Sequence, residues 1–335
     1  MNAHLRQIFL IYSFFLRLVL TQNLVILIYK FIFAMNTDKS FMSFPTQKTF
    51  YKRRKFPKKS DRYYYKQQQQ QQYPYHGQHV DLRLIVLRHA ERIDVLLGEN
   101  WYDRIFGSSL PVPPQSYHHH LLPYRLPTRI NTLLYVFDPP ITRSGQQKSV
   151  SRGYQLANSG LYSNYCYSSP ACRSVLTASG VLQGMNRAQV PIRIEPSLFE
   201  PMNWNTPLQE LKNNYEPFMS TGEWTQHGYN IDRRYRPLQH YLNPFETEYD
   251  YFDRSQRFFQ SIVQQHDRHH GRVSNVVVVG HAASPIIFEI IAQRQPFNAE
   301  QFGQQCAYIS YLHATVLERN AMTRTWSIQR LPSIV

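Results

Sequence analysis

The sequence predicts an α/β protein: a three-layer α/β/α sandwich with a mostly parallel central sheet and long insertions over the edge where the strands end. Three observations predict it. Apolar, β-branched runs alternate along the chain with segments of helical period, the pattern of a parallel sheet covered on both faces. The runs "LRLIVLR" and "VVVVG" are apolar on both faces, as buried parallel strands are. Each is followed directly by a histidine, His89 and His281, at the carboxyl end of a strand where open α/β sheets bind their ligands.

The elements follow in chain order. Residues 1–35 are apolar but broken by Arg17, Thr21-Gln22-Asn23 and Lys30, short of the about 20 consecutive apolar residues of a clean spanning helix. No small-residue cleavage site follows. This segment is expected to be either a membrane anchor or an extension ahead of a true start at Met35. In the first case the basic cluster behind it keeps the remainder on the cytoplasmic side; both cases put the body in the cytoplasm. Residues 36–80 hold "KTFYKRRKFPKKSDRYYYK" and six glutamines, a composition expected to stay disordered. Residues 81–335 are expected to form the folded domain.

Within it, "LRLIVLR" reads as the first strand. "PPITRSGQQKSVSRGYQLANSG" reads as a helix with Thr142 as N-cap and Gly160 near its stop. "LYSNYCYSS" is a second strand, and "SPACRSVLTASGVLQGM" a helix with Ser169 at N-cap and Pro170 at the first helical position. "IRIEPSLFE" is a short strand entering a loop, and "EYDYFDRSQRFFQSIVQQHD" has apolar residues at helical spacing. "SNVVVVGHAASPIIFEIIAQ" reads as strand, tight turn and helix; "AYISYLHATVLERN" and "TWSIQRL" read as a closing hairpin. Residues 96–135 and 201–247 show no sustained periodicity and are expected to shape a substrate cleft.

The net charge of +15 invites a nucleic-acid or membrane reading. Its distribution argues otherwise, because residues 1–80 hold 13 Lys/Arg against 2 Asp/Glu. The remaining residues carry only +4, so the basicity belongs to the tail, with a weak anionic-surface contact as its functional reading and no specific nucleic acid expected. Three cysteines, Cys166, Cys172 and Cys306, make no disulfide framework and no Cys-x-x-Cys pair. Cys166 lies one residue too far from Arg173 for the Cys-x5-Arg spacing of a cysteine phosphatase. The histidines of "HHH" at 118–120 and of His269-His270 point in different directions, as adjacent residues do, and read as solvated loop; no metal and no cofactor is expected.

Arg88, Arg92 and Arg173 converge with His89 and His281 if the strands that carry them are neighbours. Arg173 stands in the first turn of its helix, beside free N–H groups and the positive end of the dipole. Guanidinium forks match phosphoryl oxygens two at a time, so the set reads as a phosphate pocket.

"RHAER" resembles the Arg-His-Gly motif of the histidine phosphatase superfamily. "DPPITRSG", "YSSPACRSVLTA", "IRIEPSLFE", "IDRRYRP" and "VVVVGHAAS" resemble, in that order, the phosphatase domain of the Sts proteins (ubiquitin-associated and SH3-domain-containing phosphatases) over residues 82–333. The resemblance implies a phosphomonoester hydrolase acting through a phosphohistidine on phosphotyrosine protein or a small phosphoester, and a homodimer as one partner. It implies His89 as nucleophile, His281 as second pocket histidine, Arg88, Arg92 and Arg173 as phosphoryl ligands, and Glu200 as proton donor to the leaving group. The alternative is a catalytically inactive phospholigand-binding or scaffold protein of the same fold. Ala90 stands where the family carries glycine and is expected to crowd or strain the backbone there. Pro201 stands where relatives carry an aromatic residue, and no ubiquitin-binding or SH3 module accompanies the domain.

Overall fold

The structure, a computed structural model, describes residues 80–107, 114–129, 131–204, 217–267 and 273–331. The apolar segment 1–35, the basic segment up to residue 79 and His269-His270 lie outside the described residues. Among the described residues, no helix is long and apolar enough to cross a membrane.

Six strands form one sheet: β1 (Val80–Arg88), β2 (Tyr165–Ser168), β3 (Ile192–Ile194), β4 (Ser274–Gly280), β5 (Ala314–Asn320) and β6 (Trp326–Leu331), in the order β3-β2-β4-β1-β5-β6. The first four run parallel, with Arg88 opposite Gly280 and Ser168 opposite Val279. β5 and β6 close the sheet as the antiparallel hairpin. The carboxyl ends of β1, β2 and β4 therefore share one edge, which makes His89 and His281 neighbours.

Helices cover both faces: α1 (Arg143–Asn158) and α2 (Cys172–Gly184) on one, α3 (Glu248–His266), α4 (Ala283–Ala292) and α5 (Ala299–Ala307) on the other. The period of two in a strand explains the two cores. Ile85, Leu87, Val277 and Val279 pack toward α1 and α2, while Leu84, Val86, Val276 and Val278 pack toward α3, α4 and α5. All eight are fully buried, each stabilising the fold by about 1.5–3 kcal/mol.

Thr142 caps α1, its hydroxyl accepting the Gly145 N–H at 2.8 Å. α1 crosses α2 where Gly153 meets Gly184: a Cβ on Gly184 would sit 2.0 Å from the Val150 carbonyl oxygen.

Three expectations are corrected. α2 begins at Cys172 with Ala171 as its N-cap residue, two positions later than the Ser169-Pro170 start. Ser169 turns its hydroxyl to His281 instead, and that bond takes the side chain a cap would have used. The closing hairpin starts at Ala314 rather than Ala307, because Ala299–Ala307 is helical and the chain turns back over the sheet edge before β5. The insertions hold more structure than their lack of period suggests. Trp101, Tyr102, Phe106, Tyr117 and Tyr135 build an aromatic cluster with ring centroids 5.0 to 6.2 Å apart, and Trp224 is fully buried. Rings this large bury a segment without needing a regular repeat.

Candidate active site

The carboxyl edge of the sheet brings the two histidines together. The His89 N–H donates to the Gly280 carbonyl at 2.9 Å, continuing the β1–β4 ladder by one rung, and the imidazole centroids lie 5.3 Å apart at 74°. Both rings are nearly fully buried. Gly280 is needed there, since a Cβ would stand 2.2 Å from the Ser284 hydroxyl that caps the His281 N–H.

Their hydrogen bonds fix the tautomers. His89 Nδ1 lies 2.8 Å from the Ala90 carbonyl, which can only accept, so Nδ1 carries the proton and Nε2 the lone pair. His281 Nδ1 faces Arg173 Nη2 at 3.3 Å, and a guanidinium can only donate. The proton of His281 is therefore on Nε2, donated to Ser169 Oγ at 2.8 Å. Burial holds His89 well below the ordinary imidazole range, helped by the charges of Arg173 and Arg88. Burial does the same to His281, with Arg173, Arg92 and Arg88 adding to it. Both rings are neutral near pH 7.

Arg173 is the centre of the cluster. It is 1% exposed, and its Nη2 donates to Glu200 Oε1 at 2.6 Å while its Nη1 lies 3.7 Å from Asp138 Oδ1. Glu200 Oε2 in turn lies 3.6 Å from His281 Nδ1. Burial pushes the Glu200 carboxyl up, but the charges of Arg173, Arg92 and Arg88 outweigh it and hold the group below the usual carboxylate range. Glu200 is therefore a carboxylate in this structure.

Arg88 and Arg92 stand differently. Arg88 Nη1 donates to the Ile309 carbonyl and its guanidinium lies 4.3 Å from the centroid of the Tyr311 ring. Arg92 forms a two-pronged pair with Asp94 at 2.9 and 2.5 Å. Arg173 hydrogen-bonds both His281 and Glu200, and the charges of Arg88 and Arg92 act on both groups as well.

Ala90 is not strained. Its φ is not among the positive ones, its N–H donates to Thr177 Oγ1 at 3.0 Å, and its methyl is fully buried in the α1/α2 core. The helix α2 here supplies the hydroxyl that accepts from the backbone, so the alanine is built into the packing.

Sequence reasoning missed Asp138 and Tyr311. Asp138 is fully buried, its Oδ1 accepting the Cys172 N–H at 2.8 Å at the start of α2. Burial raises it to about 6 against the pull of Arg173 and Arg129. Its signal was present in "DPPITRSG", where it precedes two prolines ahead of the capped helix. Tyr311, whose ring centroid is 5.7 Å from that of His89, carried no signal, because its segment read as strand. Cys166, Cys172 and Cys306 are buried free thiols, and burial raises Cys166 to about 12. The His119 and His120 rings lie with centroids 4.4 Å apart, tilted by 30°, and His119 Nδ1 accepts the Leu121 N–H.

The profile of the histidine phosphatase superfamily (branch 1) matches residues 135–320, a stretch that contains Arg173, Glu200 and His281 and begins after His89. The chain is 33% identical over 203 residues to the ecdysteroid-phosphate phosphatase of Bombyx mori, covering 59% of this chain and 28% of that protein. It is 28% identical over 256 residues to the human ubiquitin-associated and SH3 domain-containing protein B, covering 74% of this chain and 37% of that protein. The chain thus spans about a third of the length of these curated relatives. The crystal structure of the ecdysone phosphate phosphatase from Bombyx mori in complex with tungstate superimposes with a TM-score of 0.63 at 27% identity, covering 76% of this chain and 95% of that one.

Proposed function

The chain belongs to the histidine phosphatase superfamily, and on that premise we propose that it hydrolyses phosphomonoesters through a phosphohistidine on His89. The observation that carries this reading is the state of His89: neutral, with its proton on Nδ1 facing the Ala90 carbonyl, its Nε2 lone pair free of that bond, and its ring 5.3 Å from that of His281 and under the charge of Arg173. Nε2 attacks phosphorus in line, forming an N–P bond as the P–O bond to the departing group breaks. Arg88, Arg92 and Arg173 hold the three equatorial oxygens, fixed donors that need not reorganise as charge spreads. Phosphoryl oxygens reaching Arg173 draw its Nη2 from Glu200, and their charge raises the Glu200 carboxyl so that it can take a proton. Glu200 hands that proton to the departing oxygen, then accepts one from the water that breaks the N–P bond. The products are an alcohol or phenol and inorganic phosphate, with His89 restored.

The small-phosphoester class rests on one relative's name, and phosphotyrosine on the resemblance to the Sts phosphatases. A steroid phosphate belongs to the Bombyx mori relative, and tungstate, held in the related crystal structure, has the tetrahedral shape of phosphate. We take a small phosphoester or a phosphotyrosine side chain as the substrate of this chain, with residues 81–335 as the catalytic domain. Rapid quench with phosphorus-labelled substrate tests the reading. An acid-labile, base-stable adduct is expected on the peptide that contains His89, and none in His89→Ala. An adduct on a cysteine or on His281 overturns it.

A further inference from the structure

Behind the site lies a buried ion pair that touches neither histidine. Glu246 and Arg254 are 3% and 1% exposed. Arg254 Nε donates to Glu246 Oε1 at 2.6 Å and its Nη2 to Oε2 at 2.5 Å. The other donors of the same guanidinium turn to the main chain. Nη1 donates to the carbonyls of Ser197 and Phe199 at 2.8 and 2.9 Å, and Nη2 reaches that of Glu200 at 3.4 Å. Glu246 Oε2 accepts the Met202 N–H at 3.2 Å. The pair therefore grips the chain at 197, 199, 200 and 202, on both sides of Glu200.

A buried ion pair is a poor stability device, because the cost of desolvating two charges offsets their attraction and an apolar pair of like volume often serves as well. An apolar pair cannot donate to three carbonyls. Phe199 and Glu200 lie in neither the sheet nor a helix, so their carbonyls need donors from elsewhere, and Pro201 offers no N–H for a ladder. The planar fork of Arg254 supplies those donors in one rigid unit. Its place is set by the start of α3, where Thr247 and Asp250 form a capping box immediately after Glu246. The same grip fixes Phe199, whose ring stands 5.0 Å from that of His281.

We propose that Arg254 and Glu246 are positioning residues that hold the Glu200 carboxyl over the reaction centre, an inference that rests on Glu200 being the proton donor. The consequence is selective. A displaced donor slows substrates whose departing oxygen needs a proton, such as an alkyl phosphate, and spares p-nitrophenyl phosphate, whose leaving group does not.

The test is the double variant Arg254→Met/Glu246→Leu, which removes both charges and leaves the net charge unchanged, with Arg254→Lys as a second variant that keeps the charge but loses the fork. Glu200→Gln serves as reference. The double variant takes their donors from the carbonyls of Ser197, Phe199 and Glu200, so its melting temperature is expected to fall, with the protein still folded at the assay temperature. Its kcat on an alkyl phosphate should fall at least about tenfold, part of the 10²–10⁴-fold that proton transfer contributes. On p-nitrophenyl phosphate it should change less than about threefold, with KM unchanged and Arg254→Lys in between. Equal losses on both substrates, or no loss where Glu200→Gln discriminates, overturn the positioning role. Unfolding of both variants assigns the pair to stability and overturns it as well. A Glu200→Gln protein that does not discriminate places the failure in the proton-donor reading, and this proposal falls with it.

Discussion

At the scale of single residues, Ala90 and Glu200 behave differently from what their neighbours in sequence suggest. The Ala90 methyl is buried against α2, and its backbone φ is not in the left-handed region, so a glycine gains nothing there. Ala90→Gly is expected to lower stability by about 1–2 kcal/mol, from the lost methyl burial and the freer unfolded chain, as read by chemical denaturation. A gain in stability or rate would show that the methyl is crowded after all. Glu200 is held as a carboxylate and His89 as a neutral ring, both with pKa values below their ordinary ranges. The productive complex then holds one proton shared between Glu200 and the phosphate, whichever carried it in. Raising pH removes that proton from the more basic of the two free partners, which is the substrate, with a second ionisation at about 6. Lowering pH protonates Glu200 or His89 as well, and only well below the usual histidine range. The alkaline limb of kcat/KM should therefore move with the second ionisation of the substrate across a series of esters. A limb that stays fixed across the series would belong to a group on the protein.

At the scale of elements, the position of Arg173 depends on how closely α2 can approach α1. Gly153 and Gly184 let the two backbones touch, and a Cβ at Gly184 would meet the Val150 carbonyl at 2.0 Å and the Gly153 Cα at 2.9 Å. Neither is a flexible side chain that can move aside. Gly184→Ala is expected to cost about 1–3 kcal/mol or more. It should also raise KM, because the shifted helix carries Arg173 and the Thr177 hydroxyl that receives Ala90. Gly303, inside α5 with no atom within 4 Å of its would-be Cβ, is the control. There the same change should stabilise by up to about 1 kcal/mol, as helix propensity dictates. Equal thermal shifts at the two positions would mean that α1 and α2 separate easily.

At the scale of the whole molecule, the described fold begins at Val80, where β1 enters the middle of the sheet between β4 and β5. All six proposed site residues follow that point. A protein starting at Gln78 is therefore expected to fold and to turn over small phosphoesters at the rate of the full chain. Lost folding or activity in that truncation would mean that the basic segment packs onto the domain.

The sequence by itself determined the layers, the parallel core of the sheet and the strand-end histidines. These depend on local properties: β-branched runs, the cap at Thr142 and residues at fixed offsets from a strand end. It also marked Arg173 and Glu200 through their motifs. Only the tertiary structure decided which side chains share the cleft. Asp138 reaches the start of α2 across 34 positions, Tyr311 lies beside His89 from the other end of the domain, and Arg254 holds the Glu200 segment from a helix more than fifty residues on. Such contacts have no period, because the chain that separates the partners leaves no regular spacing between them. The tautomers of His89 and His281 belong to the same class, since each is set by what its second nitrogen meets after folding. The physical reason is one of range: propensity and burial pattern act over a few residues, whereas charge, hydrogen bonding and ring contact act through space.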